Sequence, residues 1–293
     1  MEYETLKYEK EDGFVVITMN RPKSLNAMNK QFMKEFIHAH REILKDKEVN
    51  AWILTGAPRP DGRPCFSAGA DLKEDMKGEK RYNFPEFGGP AYLEEDIMFP
   101  LNTVAGRLWT RRPRLYSPLF INIAWSPKIS IAAIDGIATA GGIEIALVCD
   151  IILVSETAQI GDSHVKNLKF AIGAGSVTTS LARKVGYSRA LEICITGDFI
   201  DGKKAYEIGF ANHVYPPDKL IVEAKALATK IASMRPAAVQ MTKLSCKSVQ
   251  DMGYNEAWAF SDEILRWGEL DDEWLGLQGV TQEWDKRGRG EQR

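Results

Sequence analysis

The apolar positions change their period several times along the chain, and each change marks an element. Residues 14–19, Phe-Val-Val-Ile-Thr-Met, form a β-branched apolar run that stops at Asn20-Arg21-Pro22, which predicts a strand and then a turn. After Asn29, a residue suited to capping, Phe32, Phe36, Ile37, His40, Ile43 and Leu44 recur at helical spacing and predict an amphipathic helix over residues 30–45. Residues 51–55 read as a short buried strand that runs into a Gly- and Pro-rich loop over 56–64. A buried strand over 129–134 is followed by a glycine turn at Gly141-Gly142, a short helix over 143–148, and strands over 151–154 and 158–161. Helical patterns then dominate, over 177–185, 188–195, 201–208, 220–234, 236–250, 254–267 and 271–285.

This alternation of strand, turn and helix predicts an α/β layer architecture. The chain divides into a core over residues 1–214 and a helical C-terminal subdomain over 215–293. Within the core, residues 74–126 form an irregular insertion rich in aromatics, including Tyr82, Phe84, Phe87, Trp109 and Trp125. A disordered linker is poor in such residues, so the insertion reads as a lid or pocket wall. The plainer alternative is a surface excursion with a small core of its own.

Composition narrows the function classes. With 44% hydrophobic and 27% charged residues, the 293-residue chain has the make-up of an ordinary soluble protein. Its formal charge of -2 gives no electrostatic reason for a nucleic-acid partner. The basic stretch Lys286-Arg287-Gly288-Arg289 reads as a solvated tail or as an anion contact. Cys65, Cys149, Cys194 and Cys246 lie far apart with no CxxC spacing, which predicts reduced thiols and no metal site. The apolar run over 129–147 is interrupted by Asp135, Glu144 and several glycines, so no membrane span is expected. No basic and apolar leader opens the sequence, and a cytoplasmic location is the resulting expectation.

The candidate chemistry lies in two runs of small residues, Ser67-Ala68-Gly69-Ala70-Asp71-Leu72 and Ala138-Thr139-Ala140-Gly141-Gly142. Small residues let backbone N–H groups approach a ligand, and two amides aimed at one point make an oxyanion hole. Glu144 follows Gly141 by three residues, in an otherwise apolar helix. Desolvation there suits a carboxylate to acid/base work, whereas the structural alternative is a capping-box glutamate.

The chain resembles the crotonase superfamily, the enoyl-CoA hydratase/isomerase family. The resemblance is carried by Asn20-Arg21-Pro22 with Leu25-Asn26-Ala27-Met28, by Phe66 to Lys73, by residues 131–150 through Gly141-Gly142-Ile143-Glu144, and by residues 191–212 through Thr196-Gly197. It implies a superhelix of ββα turns with a C-terminal helical trimerisation region, assembled as a trimer or a dimer of trimers. It implies an acyl-CoA substrate whose thioester carbonyl is polarised by the amides of Ala70 and Gly141. Lys23, Ser24 and Leu25 match the turn that contacts coenzyme A, Ala68, Asp71, Leu72 and Gly142 flank the substrate, and Lys286 is a candidate cation from a neighbouring subunit. No cofactor is expected beyond the coenzyme A of the substrate.

One departure matters. Hydratases of the family carry a second glutamate where this chain reads Asp162-Ser163-His164. On an extended strand Asp162 and His164 share a face and Ser163 does not, so a His–Asp dyad is expected and a triad is not. The leading expectation is hydration or dehydration of an enoyl-CoA with a bulky or cyclic acyl group. The alternatives are a C–C bond hydrolase or lyase, as in β-diketone hydrolases of the family, using His164 with Asp162, and an oligomeric binding protein without activity.

Overall fold

The computed structural model describes residues 2–75, 120, 122–168 and 177–269. The aromatic insertion lies largely, and the helix expected over 271–285 and Lys286 wholly, outside these residues. By its contacts the chain forms two units, residues 1–233 and 234–293.

Among the described residues, the first unit holds two sheets. The larger runs in the order β1 (Leu6–Glu11), β2 (Phe14–Met19), β3 (Ala51–Gly56), β5 (Ile129–Ile134), β7 (Ile151–Ser155), β10 (His213–Tyr215). Only β1 is antiparallel, turning back on β2 through Asp12-Gly13 with Leu6 opposite Met19. The remaining pairs are parallel, and the inner strands β3, β5 and β7 are buried as near-continuous apolar runs, as a sheet covered on both faces requires. The smaller sheet is β4 (Cys65–Ser67), β6 (Ile137–Thr139), β8 (Gln159–Gly161), β9 (Ile200–Asp201), parallel from β4 to β8.

The chain shuttles between the sheets in a fixed rhythm. A strand of the large sheet leads to a strand of the small one and then into a helix or turn. Thus β3 and β4 lead to α2 (Leu72–Asp75), and β5 and β6 lead to α3 (Gly141–Leu147). In the third repeat β7 and β8 lead to a wide π-type turn over His164–Leu168. These ββα repeats are the architecture that the resemblance implied.

Helix α1 (Lys30–Lys45) forms as its pattern predicts. Asn29 accepts from Phe32 N at 2.9 Å, and Phe32, Phe36 and Ile43 are buried with Trp52 of β3 in the main core. Its C-terminus is tied down by Lys128, 6% exposed, whose ammonium donates to the carbonyls of Asp46 and Val49. A cation there opposes the negative end of the helix dipole. Burial pushes the Lys128 pKa down, with the charge of Asp46 acting against it.

The helices from residue 177 depart from the prediction in detail. Residues 177–185 split into a π-type segment, Val177–Leu181, and one α-turn, α4 (Ala182–Val185). Then follow α5 (Tyr187–Thr196), α6 (Gly202–Glu207) and α7 (Leu220–Ala232), which packs on β3, β5 and β7. In the second unit, α8 (Pro236–Ser248) opens on Pro236, whose fixed φ suits the first helical position, and α9 (Tyr254–Glu269) pairs with it through a Ser245–Ser261 hydrogen bond of 2.9 Å. Among the described residues, no helix is long and apolar enough to cross a membrane.

Candidate active site

In the small sheet β6 lies between β4 and β8, so three chain segments leave the C-terminal ends of adjacent parallel strands. They are the Ala68–Asp71 stretch after β4, Ala140 and Gly141 after β6, and the Asp162–His164 turn after β8. That end of a parallel sheet is where α/β proteins characteristically bind ligands. The candidate residues of all three segments are thereby gathered.

The first two segments meet through glycine. Gly69 has φ +94°, and a Cβ there would stand 2.6 Å from Gly141 N. A Cβ on Gly141 would stand 3.3 Å from Ala70 N and 2.6 Å from the Met28 methyl. Gly69 requires glycine by both torsion and backbone contact, and at Gly141 a Cβ would press on the Gly69 and Ala70 backbone. Gly142, expected among the substrate contacts, is glycine for a different reason: a Cβ there would lie 2.2 Å from the Ser67 carbonyl oxygen. Among the described residues, neither Ala70 N–H nor Gly141 N–H donates to a protein acceptor. Two neighbouring unpaired amides of this kind can receive a developing negative charge.

A polar zipper holds the Ala68–Asp71 stretch to the preceding turn. Asn26, 1% exposed, accepts from Arg21 N at 3.0 Å and donates to the carbonyls of Ala57 and Cys65 at 2.8 and 2.9 Å. Ala68 N donates to Leu25 O, Met28 N to Gly69 O, and Ser67 Oγ to Asn26 O. Of the turn residues Lys23, Ser24 and Leu25, Leu25 is thereby joined directly to Ala68. The carboxylate of Asp71 is engaged by Arg21 at 2.8 Å and accepts from Lys73 N at 3.2 Å. Sequence reasoning quoted Arg21 and Asn26 without giving them a role. Their signal was available: two strongly polar residues in a loop between apolar elements, where buried polar groups must find partners.

Glu144 lies in the first turn of α3, a helix buried along its whole length, and is itself 5% exposed. Its own amide donates to Ala140 O at 3.1 Å. The side chain is thus buried three residues after Gly141, while its backbone closes the first turn.

The third segment corrects the sequence reading. β8 ends at Gly161, so Asp162 and His164 are not alternating strand residues. They come together by a local turn, in which Asp162 Oδ1 accepts from His164 N at 3.4 Å and pairs with His164 Nδ1 at 2.5 Å. The side chains of both are at least nine-tenths buried. Ser163 is excluded from that line and bonds instead to Thr139 Oγ1 at 3.0 Å, stitching the turn to the end of β6. Asp162 Oδ2 is buried with no hydrogen-bond partner among the described residues. Its charge is felt by Cys194 of α5, where burial first and Asp162 second push the thiol pKa up to about 11. Among the described residues, no group of three His, Cys, Asp or Glu is placed to hold a metal ion.

Comparison with known proteins places this arrangement. The enoyl-CoA hydratase/isomerase family profile matches residues 9–94 and 111–265. A short-chain-enoyl-CoA hydratase of Clostridium acetobutylicum is 35% identical over 265 residues, covering 90% of this chain and 89% of that protein. A 2,3-dehydroadipyl-CoA hydratase of Escherichia coli is 28% identical, covering 86% and 85%. Among solved structures, an enoyl-CoA hydratase of Bacillus anthracis shares the fold with a TM-score of 0.77 at 26% identity, covering 96% of this chain and 97% of that one.

Proposed function

The chain belongs to the enoyl-CoA hydratase/isomerase family, and we propose that it adds water to, or removes it from, an acyl-CoA thioester through an enolate. The observation that carries this reading is the pair of neighbouring amides, Ala70 and Gly141, without protein acceptors among the described residues, with the buried Glu144 in the same first helical turn as Gly141. In the hydration direction the two amides take the thioester oxygen. Glu144 accepts a proton from water as the water oxygen bonds to the β-carbon, and the double-bond electrons move onto the thioester oxygen. A proton then returns to the α-carbon, so that one water is added and no bond of the carbon skeleton breaks. Each hole donor of this kind supplies about 2.7–4 kcal/mol of transition-state stabilisation.

The second proton carrier in this reading is His164. Asp162 holds Nδ1 and so fixes the orientation in which the imidazole exchanges protons. The turn at Lys23, Ser24 and Leu25, with Ala68, Leu72 and Gly142, forms the coenzyme A side of the site. Asp71 supports it by holding Arg21, and Lys286 is the candidate cation from a neighbouring subunit. The aromatic composition of the insertion over 74–126, most of it outside the described residues, suits a bulky or cyclic acyl group. The assembly is a trimer or a dimer of trimers, in the cytoplasm, with no cofactor other than the coenzyme A carried by the substrate.

C–C bond cleavage with the same His–Asp pair is the competing chemistry, and the hydratase names of the relatives do not favour it. Mass spectrometry of products from linear and cyclic enoyl-CoAs separates the two: a gain of one water on an intact skeleton is expected. Glu144→Gln is expected to lower turnover by about 10²–10⁴-fold. Unchanged turnover in that variant would remove Glu144 from the mechanism.

A further inference from the structure

Three non-glycine residues have positive φ among the described residues: Leu25, Asn26 and Ala140. Leu25, at φ 54° and ψ 39°, lies in the left-handed helical region that L residues can adopt. Ala140, at φ 49° and ψ −124°, does not, and there its Cβ crowds the adjoining backbone. This strained torsion immediately precedes Gly141.

One peptide unit explains what the torsion does. The bond from Ala140 to Gly141 carries at one end the Ala140 carbonyl, which accepts from Ile143 N and Glu144 N, both at 3.1 Å. At the other end it carries the Gly141 N–H. A planar trans peptide points these two groups in opposite directions, so anchoring the carbonyl in the helix aims the amide outward from it. Turning this one plane over by half a turn would take ψ of Ala140 to about +56°, which with its present φ is the ordinary left-handed region. Gly141, without a Cβ, tolerates the matching change in its own φ. The relaxed arrangement gives up the two hydrogen bonds on the Ala140 carbonyl and turns the Gly141 amide away. No comparable choice exists at Ala70, where Met28 N donates to Gly69 O and Asp71 N to Met28 O on either side of the amide.

We propose that Ala140 is a positioning residue that makes the Gly141 half of the oxyanion hole conditional. Its methyl group sets a strained, hydrogen-bonded peptide with the amide aimed at the substrate against a relaxed peptide with the amide turned away. A thioester oxygen, by bonding to the aimed amide, selects the first state. The inference rests on the reading of Ala70 and Gly141 as the donors to that oxygen.

Ala140→Gly removes the larger penalty on the aimed state as well as the smaller left-handed penalty on the relaxed one, and so shifts the balance toward the aimed state. Its expected effect is a several-fold rise in kcat/KM for an enoyl-CoA, carried mainly by a lower KM. The direct readout is the absorption of bound 2,4-hexadienoyl-CoA, measured in a Glu144→Gln background so that the probe is not consumed. Polarisation of the thioester carbonyl moves this band to the red, and the shift is expected to be larger once Ala140→Gly is added to that background. An equal or smaller shift in Ala140→Gly overturns the proposal. If the probe binds the protein that retains Ala140 with no red shift, the reading of the hole itself falls, and the proposal with it. Ala140→Val, worse at positive φ, is expected to reverse both effects, and the glycine variant decides the matter whether or not the valine variant folds.

Discussion

Two buried carboxylates, Glu35 in α1 and Asp162 after β8, are both fully inaccessible to solvent, yet their surroundings are opposite. Glu35 accepts from Glu4 N at 3.0 Å, Thr5 N at 2.8 Å, Thr5 Oγ1 at 2.6 Å and Gln31 Nε2 at 2.7 Å. Burial by itself would raise its pKa, but the bonds from Thr5, Glu4 and Gln31 together outweigh burial and hold it below the usual carboxylate range. Asp162 spends one oxygen on His164 and leaves the other without a protein partner among the described residues. A buried oxygen in that state costs about 1–3 kcal/mol. The difference separates two uses of the same chemical group. At Glu35 every acceptor is filled, and the result is a clamp on the N-terminal segment. At Asp162 stability is forgone, and the result is an oriented imidazole.

Three experiments would break or sharpen this contrast. The largest effect is expected at the dyad. His164→Ala should cut turnover per folded molecule by about 10²–10⁴-fold, in addition to the stability lost when the buried Asp162 carboxylate is left without its partner. A large loss of stability with turnover per folded molecule preserved would instead put the dyad in the same structural class as Glu35. Next, Glu35→Ala should cost about 2–4 kcal/mol in urea unfolding, because it strands the buried amide and hydroxyl of Thr5 and frees the Glu4 amide, while kcat of the folded protein stays at the wild-type value. The smallest effect is in pH. The folded pKa of Glu35 is depressed, so the unfolded state binds the proton more readily. Its contribution is complete above the unfolded value of about 4.3 and is lost as pH falls through the lower folded value. Urea midpoints of wild type and Glu35→Gln should therefore converge on acidification below about pH 4.3. Parallel curves would show that the carboxylate charge is not what the clamp uses.

Much of the fold was legible because long, strongly patterned segments report their own environment. The α1 stripe with its Asn29 cap and the apolar runs of β2, β3, β5 and β7 all form where the periodicity places them. β1 was not legible: it is a charged edge strand, Leu-Lys-Tyr-Glu-Lys-Glu, with only Leu6 buried. β4, β6 and β10 are three residues each, too short to display a period. In the site, the small-residue runs were visible because closeness of backbone demands small side chains. The end of β8 at Gly161 was also legible, but the local turn that joins Asp162 to His164 beyond it was not, since no period announces a turn. The torsion of Ala140 was invisible as well, since alanine carries no sign of strain in its type.

Lys128 carries one last implication. A protein that handles activated thioesters is exposed to acyl transfer onto its own amines, a reaction that needs an uncharged, reachable nitrogen. Burial weakens this lysine's hold on its proton, which in the open would make it a ready acceptor. Here the nitrogen is instead enclosed and committed to two carbonyls at the end of α1. The brace that finishes the helix is thus also shielded from self-acylation, and a tryptic map of the acyl-CoA-incubated protein would find this site among the unmodified lysines.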